Sequence, residues 1–434
     1  MAAAIGNTIA AGIVYTPGDV AKQLPNAWLF LGIWILGGLY ALAGASSMAE
    51  LGAAIPRSGG QYNFSRRALG DYAGFIVGWS DWLSTCGTAA AVAIVISEYS
   101  GHLFSIFAGH VQSLSVTIIV GFGVLQWRGI RWGSGAQLLT AALKTGAFVI
   151  LVAAAFLLGG PAHKAAMQPA SAPLALPSGW PLAIAVMLGL QAVIYTVDGW
   201  DGIIYFGEEV RDPGHHIPRA IFGSVFSIMG IYLLLNLIAL YIVPMSEIAG
   251  NTFVLGTVAD RVFGSLGDPI IRSIMVISML SCINANQLFC TRTLYAMSCD
   301  GLFFRRATAV NPGGTPTVSL FLSTLVGVLF LAVSFLGGNA FQRITGVKFL
   351  AVTAGVGAGN TVADILLNGT TIYSIAANKP TLLGTATGEF SNPLPDPNSR
   401  NLRPGDRLTL QINSIPATTG HARVTSNVTF EANA

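Results

Sequence analysis

The chain has 434 residues, of which 53% are hydrophobic and only 9% are charged. Soluble proteins carry roughly 25% charged residues, so this composition, with a mean hydropathy of +0.64, excludes a soluble protein over most of the length. The formal net charge of +3 comes without a basic run or an aromatic-and-basic motif, which excludes a nucleic-acid partner. The composition predicts a polytopic membrane protein surrounded by the lipid bilayer.

Apolar runs long enough to cross a bilayer as a helix, roughly 17 to 25 residues, follow one another up to residue 336. They predict about nine transmembrane helices and an all-α fold for this part of the chain. The third run is long enough to tilt within the bilayer or to extend past it. The predicted spans are residues 2–20, 28–54, 73–107, 111–127, 136–159, 182–206, 217–243, 269–297 and 316–336.

The arginine and lysine residues of the loops are divided unequally between the two sides of these spans. Cytoplasmic loops carry the excess of Lys and Arg, so the richer side is predicted to face the cytoplasm, with the N-terminus inside. After nine crossings, everything beyond residue 336 is predicted to lie outside. The richer side collects Arg57, Arg66, Arg67, Arg128, Arg131, Arg211, Arg219, Arg292, Arg305 and Arg306, and the other side only Lys22, Lys164, Arg261 and Arg272.

The first and sixth spans are both interrupted by glycine and polar residues. Residues 6–12 read Gly-Asn-Thr-Ile-Ala-Ala-Gly, and the apolar stretch 191–209 contains Asp198-Gly-Trp-Asp-Gly202. Carboxylates at bilayer depth are costly and paired glycines weaken a helix, so an interruption there favours a helix broken around a cavity. Two broken helices in corresponding places predict an inverted-repeat transporter with its site at the repeat interface. The alternative is a kinked structural helix with its acids near the membrane surface.

Lys144 is a charged residue near the middle of the fifth span. An ammonium group at that depth is costly unless it is paired or neutral, so it is predicted to have a partner inside the protein. The alternative, a lysine that snorkels to the membrane surface, is disfavoured by its central position.

Four motifs in order resemble those of the amino acid–polyamine–organocation (APC) permease superfamily. They are Glu50-Leu-Gly-Ala-Ala-Ile-Pro-Arg-Ser-Gly-Gly-Gln-Tyr62 after the second span, Asp198-Gly-Trp200 followed by Glu208-Glu209, Pro218-Arg219, and Thr291-Arg-Thr-Leu-Tyr-Ala-Met-Ser-Cys-Asp-Gly301 followed by Thr315-Pro316. The resemblance covers about residues 1–336 and implies a partial five-plus-five inverted-repeat fold. It implies an amino acid permease of the cell (plasma or inner) membrane.

In that family the broken first and sixth helices hold the two ends of an amino acid. The resemblance implies that backbone N–H groups of the first break bind the carboxylate, and that carbonyls of the sixth break bind the ammonium group. It further implies an aromatic gate at Tyr195 and a side-chain pocket and pivot at Trp200 and Asp201. The family usually has Gly-Ser-Gly where this chain has Ala10-Ala11-Gly12. The implied substrate-binding residues are Thr8, Ile9, Ala10, Ala11, Gly12, Tyr195, Val197, Asp198, Gly199, Trp200 and Asp201.

The resemblance also implies a role for Lys144. Family members that do not use sodium have a lysine at this place, where sodium-coupled relatives bind the ion. Lys144 is therefore expected to bridge the fifth helix to the carbonyls of the broken first helix, as a substitute for the coupling ion. Proton coupling, exchange and uniport all remain open, as does the amino acid transported.

The composition changes after residue 337, and residues 338–434 are predicted to form a second, non-cytoplasmic domain beside the permease domain of residues 1–337. Residues 362–373 read as two strands joined by an Asn368-Gly369 turn, and residues 407–413 and 422–430 alternate with period two. These features predict a small β-sandwich, weakly similar to modules of phage and virion surface proteins.

No nucleophile–base pair or phosphate-binding loop occurs in the sequence, so neither an enzyme nor a cofactor is predicted. Cys86, Cys282, Cys290 and Cys299 lack metal-ligand spacing and are predicted to be free thiols, with no metal site. The leading hypothesis is a secondary amino acid transporter or exchanger that works by alternating access. The rival hypothesis is a truncated, transport-inactive permease relic that anchors an extracytoplasmic β-sandwich for binding or adhesion.

Overall fold

The computed structural model describes residues 1–10, 12–160 and 175–336, together with four short strands beyond residue 359. The first part is helical. Its helices are α1 (Ala2–Thr8), α2 (Gly12–Gln23), α3 (Ala27–Ala54), α4 (Gln61–Leu69), α5 (Asp71–Leu103), α6 (Val111–Trp127), α7 (Ile130–Leu158), α8 (Trp180–Val197), α9 (Pro213–Ile242), α10 (Met245–Ile248), α11 (Val254–Phe263), α12 (Gly267–Cys299) and α13 (Thr317–Leu336).

Seven helical segments in the described part of the chain are long and apolar enough to cross a membrane. They include α3, α5, α7, α9 and α13; α8 with the 3-10 turn that follows it; and α11 with α12. The first predicted span corresponds to the two short helices α1 and α2, and the fourth to α6, an apolar helix of 17 residues. The prediction of an all-α polytopic membrane protein is thus confirmed for this part.

Helix α12 forms the centre of the helical part, because it packs against α5, α7, α11 and α1. From Ser278 to Ser298 it is buried on nearly every side, although many of its residues are polar. A membrane helix can be buried all round when its small and polar side chains hydrogen-bond to neighbouring helices. Asn284 is an example, since its amide donates to Gln137 Oε1 (2.7 Å) on α7 and its Oδ1 accepts from Gln126 (2.9 Å) on α6.

A second helix pair, α3 and α9, packs closely through glycines of α3. A Cβ atom on Gly38 would lie 2.5 Å from the terminal methyl group of Met229. Helix α3 begins at a capped N-terminus, where the Asn26 side chain accepts hydrogen bonds from the backbone N–H groups of Trp28 (3.0 Å) and Leu29 (3.2 Å). The apolar runs thus set the helices, and small residues set how closely they approach.

The chain divides into two compact units, Met1–Leu331 and Ala332–Ala434. In the second unit, β1 (Asn360–Leu367) pairs antiparallel with β2 (Thr370–Thr371), β3 (Thr381–Leu383) and β4 (Leu408–Ser414). Leu367 lies opposite Thr370, the pairing that the predicted Asn368-Gly369 hairpin requires, although those two residues lie outside the described part.

The strand predicted over residues 407–413 is present as β4. The strand predicted over residues 422–430 lies outside the described residues. The described strands form one sheet, whereas a sandwich needs two packed sheets. The β-sandwich and the separate domain of residues 338–434 therefore stay predictions.

Candidate functional site

The first transmembrane segment is broken between α1 and α2. Helix α1 ends at Thr8, and Ile9 leaves the helical conformation with φ −77° and ψ 89°. Helix α2 begins at Gly12, and Ala11 lies outside the described residues. The break leaves the last carbonyls of α1 and the first N–H groups of α2 without helical partners.

Lys144 binds the broken end of α1. Its side chain is fully buried, and its ammonium group donates to the carbonyl oxygens of Gly6 (2.9 Å) and Ile9 (2.8 Å). Ser278 of α12 donates a further hydrogen bond to the Ile9 carbonyl (2.5 Å). The C-terminal end of a helix carries partial negative charge, which favours a cation at this position. The predicted contact with the first helix is observed, and a snorkelling lysine is excluded.

The sixth transmembrane segment is broken after α8. The helix ends at Val197, and Asp198 is extended with φ −62° and ψ 151°. Gly199 has φ +99°, a left-handed conformation that residues with a side chain rarely adopt. A 3-10 turn then begins at Gly202 and ends at Tyr205. The predicted interruption is thus a true break in the helix and not a kink.

Tyr232 of α9 joins the ends of α1 and α8. Its buried hydroxyl lies 2.9 Å from the carbonyl oxygen of Thr8 and 3.2 Å from that of Thr196, and it shares its proton between them. The Thr196 hydroxyl also lies 2.5 Å from that of Thr16 on α2. The edge of the Trp34 ring packs against Tyr232 with 5.7 Å between ring centroids. These contacts place the two breaks side by side.

Gly199 lies directly against the end of α1. A Cβ atom on this glycine would lie 2.5 Å from Nδ2 of Asn7 and 3.1 Å from Oγ1 of Thr8. A Cβ atom on Gly12 of the first break would likewise lie 3.1 Å from the Thr196 methyl group. The absence of side chains at both breaks therefore lets the two unwound segments approach each other.

The structure brings together most of the predicted site residues. Thr8, Ile9, Val197 and Gly199 are buried around the two breaks, and Ala10 and Gly12 are partly exposed beside them.

Three predicted residues of the sixth break contact other parts of the protein or are exposed. Trp200 extends to α3, where its ring would lie 3.0 Å from a Cβ atom on Gly44. Asp201 accepts a hydrogen bond from Gln61 (3.0 Å), and the Asp198 side chain is exposed.

Tyr195 is not brought into the site. Its side chain is 83% exposed, whereas the side chain of the next residue, Thr196, is buried. Successive residues of a helix point about 100° apart, so residues 195 and 196 cannot both face the first break. In this structure the side chain of Tyr195 does not lie over the space between the breaks.

Sequence reasoning missed Tyr232, Ser278 and Thr196 as site residues. Each is one of two or more hydroxyl-bearing residues of its helix, and nothing in the sequence distinguishes it from the others. Asp81 of α5 accepts hydrogen bonds from Tyr205, after the sixth break (2.9 Å), and from Thr293 of α12 (3.2 Å). Such bonds are typical of buried polar groups in membrane proteins.

All four cysteines are free, as predicted; three are buried and Cys299 is exposed. Among the described residues, no group of His, Cys, Asp or Glu side chains could hold a metal ion.

The family model described as amino acid permease matches residues 1–374. The chain belongs to the amino acid permease family. The match extends past residue 336, where the resemblance in the motifs ends, into the first part of the tail. With its apolar helices, this membership makes the chain a multi-pass protein of the cell membrane.

Several relatives are similar to a large part of the chain. The serine/threonine exchanger SteT of Bacillus subtilis is 26% identical over 339 residues, which cover 76% of this chain and 74% of the exchanger. The Asc-type amino acid transporter 1 of Mus musculus is 28% identical over 60% of this chain and 50% of its own length. The human large neutral amino acids transporter small subunit 2 is 24% identical over 76% of this chain and 62% of its own length. The chain thus spans only half to two thirds of these mammalian relatives.

Proposed function

We propose that this chain is a secondary active transporter or exchanger of amino acids that works by alternating access. The proposal depends on one observation above all: two transmembrane helices are broken, and the breaks lie side by side in the protein interior. Unwound backbone at membrane depth is tolerated where it lines a cavity or contacts protein, and in transporters it forms the substrate site. The names of the relatives, all amino acid transporters or exchangers, support the same substrate class.

The substrate carboxylate binds at the start of α2. Helix α2 begins at Gly12, and the first N–H groups of a helix carry partial positive charge, as an anion requires; the proposal assigns the carboxylate to the backbone N–H groups of residues 10–12. Glycine at position 12 gives the backbone close access. Neutral N–H donors of this kind hold a carboxylate without the desolvation cost of a buried arginine.

The substrate ammonium group binds at the end of α8, where the last carbonyls carry partial negative charge. The resemblance to the family implies the carbonyls of Tyr195, Val197 and Asp198, and the Thr196 carbonyl between them already accepts a hydrogen bond from Tyr232. Tyr195 contributes through its backbone, since its side chain faces away from the break. In this proposal Trp200 shapes the side-chain pocket and Asp201 the pivot of the broken helix; the contact of Trp200 with α3 and the bond from Gln61 to Asp201 support a role in how this segment is held.

Lys144 takes the place of a coupling ion in this proposal. A cation bound to Gly6 O, Ile9 O and the Ser278 hydroxyl would have the hard oxygen ligands that alkali and alkaline-earth ions prefer. The ammonium group would supply that positive charge from the protein itself, so we expect transport not to require sodium.

Uptake into proteoliposomes tests the proposal. Purified protein is reconstituted, and radiolabelled serine, threonine, alanine and leucine are offered to vesicles that are empty or preloaded with unlabelled substrate. Faster uptake into preloaded vesicles identifies exchange, and acceleration by an imposed pH gradient identifies proton coupling. Protein-free liposomes provide the background.

Blocked substrates separate the two half-sites. If the two breaks hold a zwitterion, neither the methyl ester nor the N-acetyl derivative of a transported amino acid should compete for uptake. The ester lacks the carboxylate charge that the first break binds, and the N-acetyl derivative lacks the ammonium charge that the sixth break binds. Competition by both derivatives at the level of the free amino acid would contradict the proposed site. Absence of uptake for every amino acid would instead favour the rival, a transport-inactive permease that anchors the β-stranded unit.

A further inference from the structure

A short loop between α3 and α4 lies across the segment that follows the sixth break. This loop, residues 56–60, is called the strap. Ser58 of the strap forms an antiparallel β-bridge with Phe206, and the Gly59 N–H donates to the Tyr205 carbonyl at 3.3 Å. The strap is thus bonded through its backbone to the unwound half of the sixth transmembrane segment.

Glycines make this contact close on both sides. A Cβ atom on Gly207 would lie 2.6 Å from the Arg57 carbonyl oxygen, and one on Gly60 would lie 2.5 Å from the Tyr205 ring. Gly59 and Gly60 both have positive φ, +115° and +69°. Such backbone is available to glycine at little cost, and the same freedom makes consecutive glycines suitable hinge residues.

Charged side chains connect the strap to two other elements. Arg57 reaches Asp300 at the end of α12 (3.1 Å) and lies 3.9 Å from Glu208 after the sixth break. Asp300 also accepts from Arg66 (2.8 Å) and from the Tyr62 hydroxyl (3.1 Å), both of α4. Only 11% of the Asp300 side chain is exposed, so this carboxylate is largely shielded from water and needs these donors.

Tyr62 remains a donor in this cluster. Burial, together with the neighbouring Asp300 carboxylate, raises the pKa of Tyr62 above its ordinary value, so the hydroxyl stays protonated.

The segment beneath the strap closes the space below the sixth break. The Tyr205 ring stacks on Phe289 of α12 with 4.6 Å between centroids, and its hydroxyl is bound by Asp81 of α5. A Cβ atom on Gly202 would lie 2.5 Å from the Phe289 ring. The strap therefore contacts a segment whose Tyr205 ring is itself packed on α12, and Arg57 and Arg66 lie on the same side as the strap. The arginine count assigns that side to the cytoplasm.

From these contacts we propose that the strap is a cytoplasmic latch: it holds the segment after the sixth break against α12 while the protein is closed to the cytoplasm, and it detaches when substrate leaves inward. The inference rests on the proposed transport function. The strap contacts the segment through the β-bridge and α12 through the Arg57–Asp300 ion pair, so detachment of the strap removes both contacts together. The two hinge glycines allow the strap to move without moving α3 and α4.

A disulfide across the bridge tests the latch directly. Opposed residues of an antiparallel pair have Cα atoms about 4.5–5.5 Å apart, within the range that a disulfide spans. The double variant Ser58→Cys/Phe206→Cys is made with Cys299→Ser, which removes the exposed native thiol. After oxidation in proteoliposomes, the cross-linked protein should lose transport and regain it with reductant, while binding of radiolabelled substrate persists.

The single variants Ser58→Cys and Phe206→Cys are the matched controls, and oxidation should leave their transport unchanged. Cross-linked protein that transports at the rate of its reduced form would overturn the proposal. Failure of the two thiols to cross-link would overturn it as well, because the bridge would then be absent.

A labelling experiment tests detachment without requiring transport. Ala296 of α12 lies beneath Gly59: a Cβ atom added to this glycine would lie 2.5 Å from the alanine methyl group. Ala296 is only 6% exposed. In the Cys299→Ser background, an Ala296→Cys reporter should react with an impermeant maleimide only when the strap detaches. Gly207→Ala, which forces the strap outward, should raise the labelling rate about fivefold or more by shifting the closed–open equilibrium.

Gly214→Ala is the control for this arm, because a Cβ atom there meets no atom within 4 Å. Equal labelling in the Gly207→Ala and Gly214→Ala proteins would overturn the latch. Lack of uptake by the unmodified chain would overturn the transport proposal, whereas labelling reports on the strap in either case. The two failures are therefore distinguishable.

Discussion

The ammonium group of Lys144 lies 2.8 Å from the carbonyl oxygen of Ile9, the residue at which the first transmembrane helix unwinds. Since the side chain is fully buried, this bond and the one to Gly6 are its compensation for the loss of water. The lysine in turn satisfies the Gly6 carbonyl at the end of α1, and it shares the Ile9 carbonyl with Ser278. The lysine and the break thus stabilise each other.

Replacement of this lysine should therefore damage both stability and transport. Lys144→Ala leaves the Gly6 carbonyl unpaired and opens a cavity, so we expect the free energy of unfolding to fall by about 2–4 kcal/mol. Uptake should fall well below that of the unmodified protein. The control is Lys22→Ala, an exposed lysine at the end of α2. Thermal denaturation in detergent and uptake assays measure the two effects, and an unchanged melting temperature would contradict the prediction.

Sodium should partly replace the missing charge. The Lys144→Ala protein retains Gly6 O, Ile9 O and the Ser278 hydroxyl around the vacated position, and these are oxygen ligands for a small cation. We expect sodium chloride, but not choline chloride, to raise the melting temperature of this variant. The unmodified protein should show no such difference. Equal effects of the two salts on the variant would mean that Lys144 does not occupy an ion site.

The two breaks can be predicted from the sequence because they contain residues that are costly in an intact membrane helix. Asp198 and Gly199 within an apolar stretch are costly in an intact helix, and Lys144 is costly without a partner. Each cost implies a compensating structure, which the observed break and the bonds to Gly6 and Ile9 provide.

Other features of the site have no such signal. Tyr232 and Ser278 look like ordinary members of apolar helices, and only the packing of α9 and α12 brings their hydroxyls to the breaks. The direction of Tyr195 depends on the rotation of α8 about its axis, which an apolar pattern with no clear polar face does not determine. In the tail, the period-two pattern predicts β4 but not how many sheets form.

The hydroxyl of Tyr232 should couple the two breaks. Tyr232→Phe removes the donor shared by Thr8 O and Thr196 O and leaves both carbonyls buried. We expect a loss of about 1–3 kcal/mol in stability and a reduced rate of uptake. Tyr40→Phe, at an exposed position of α3, is the matched control. If Tyr232→Phe behaved like Tyr40→Phe in both assays, the bridge would have no function.

Gly199 should not tolerate a side chain. Its φ of +99° costs about 1–3 kcal/mol for any other residue, and a Cβ atom would collide with the Asn7 amide. Gly199→Ala is therefore expected to push the two breaks apart and to weaken substrate binding. Gly146→Ala, where a Cβ atom meets nothing within 4 Å, is the control. Substrate affinity is measured by a scintillation proximity assay. The prediction would be contradicted if the Gly199→Ala protein bound substrate as tightly as the Gly146→Ala protein and the unmodified chain.

Arg292 should be irreplaceable by lysine. Its guanidinium group binds Glu209 through two bonds (2.6 and 3.1 Å) and lies 4.3 Å from the centre of the Phe206 ring. Lysine offers a single point charge and cannot reproduce this planar geometry. The arginine side chain is 5% exposed but that of Glu209 is 36% exposed, so solvent screens part of the ion pair. We therefore expect Arg292→Lys to lower the free energy of unfolding by about 1–2 kcal/mol.

The larger loss, about 2–3 kcal/mol, is expected for Arg292→Ala, which leaves Glu209 without its partner. Arg305→Ala, at an exposed position after α12, should change the melting temperature little. Glu209→Gln separates charge from geometry, because it keeps one acceptor oxygen for the guanidinium group. If the charge dominates, Glu209→Gln should destabilise the protein nearly as much as Arg292→Ala. If stacking of Arg292 on Phe206 dominates, Glu209→Gln should be close to neutral while Arg292→Ala remains destabilising.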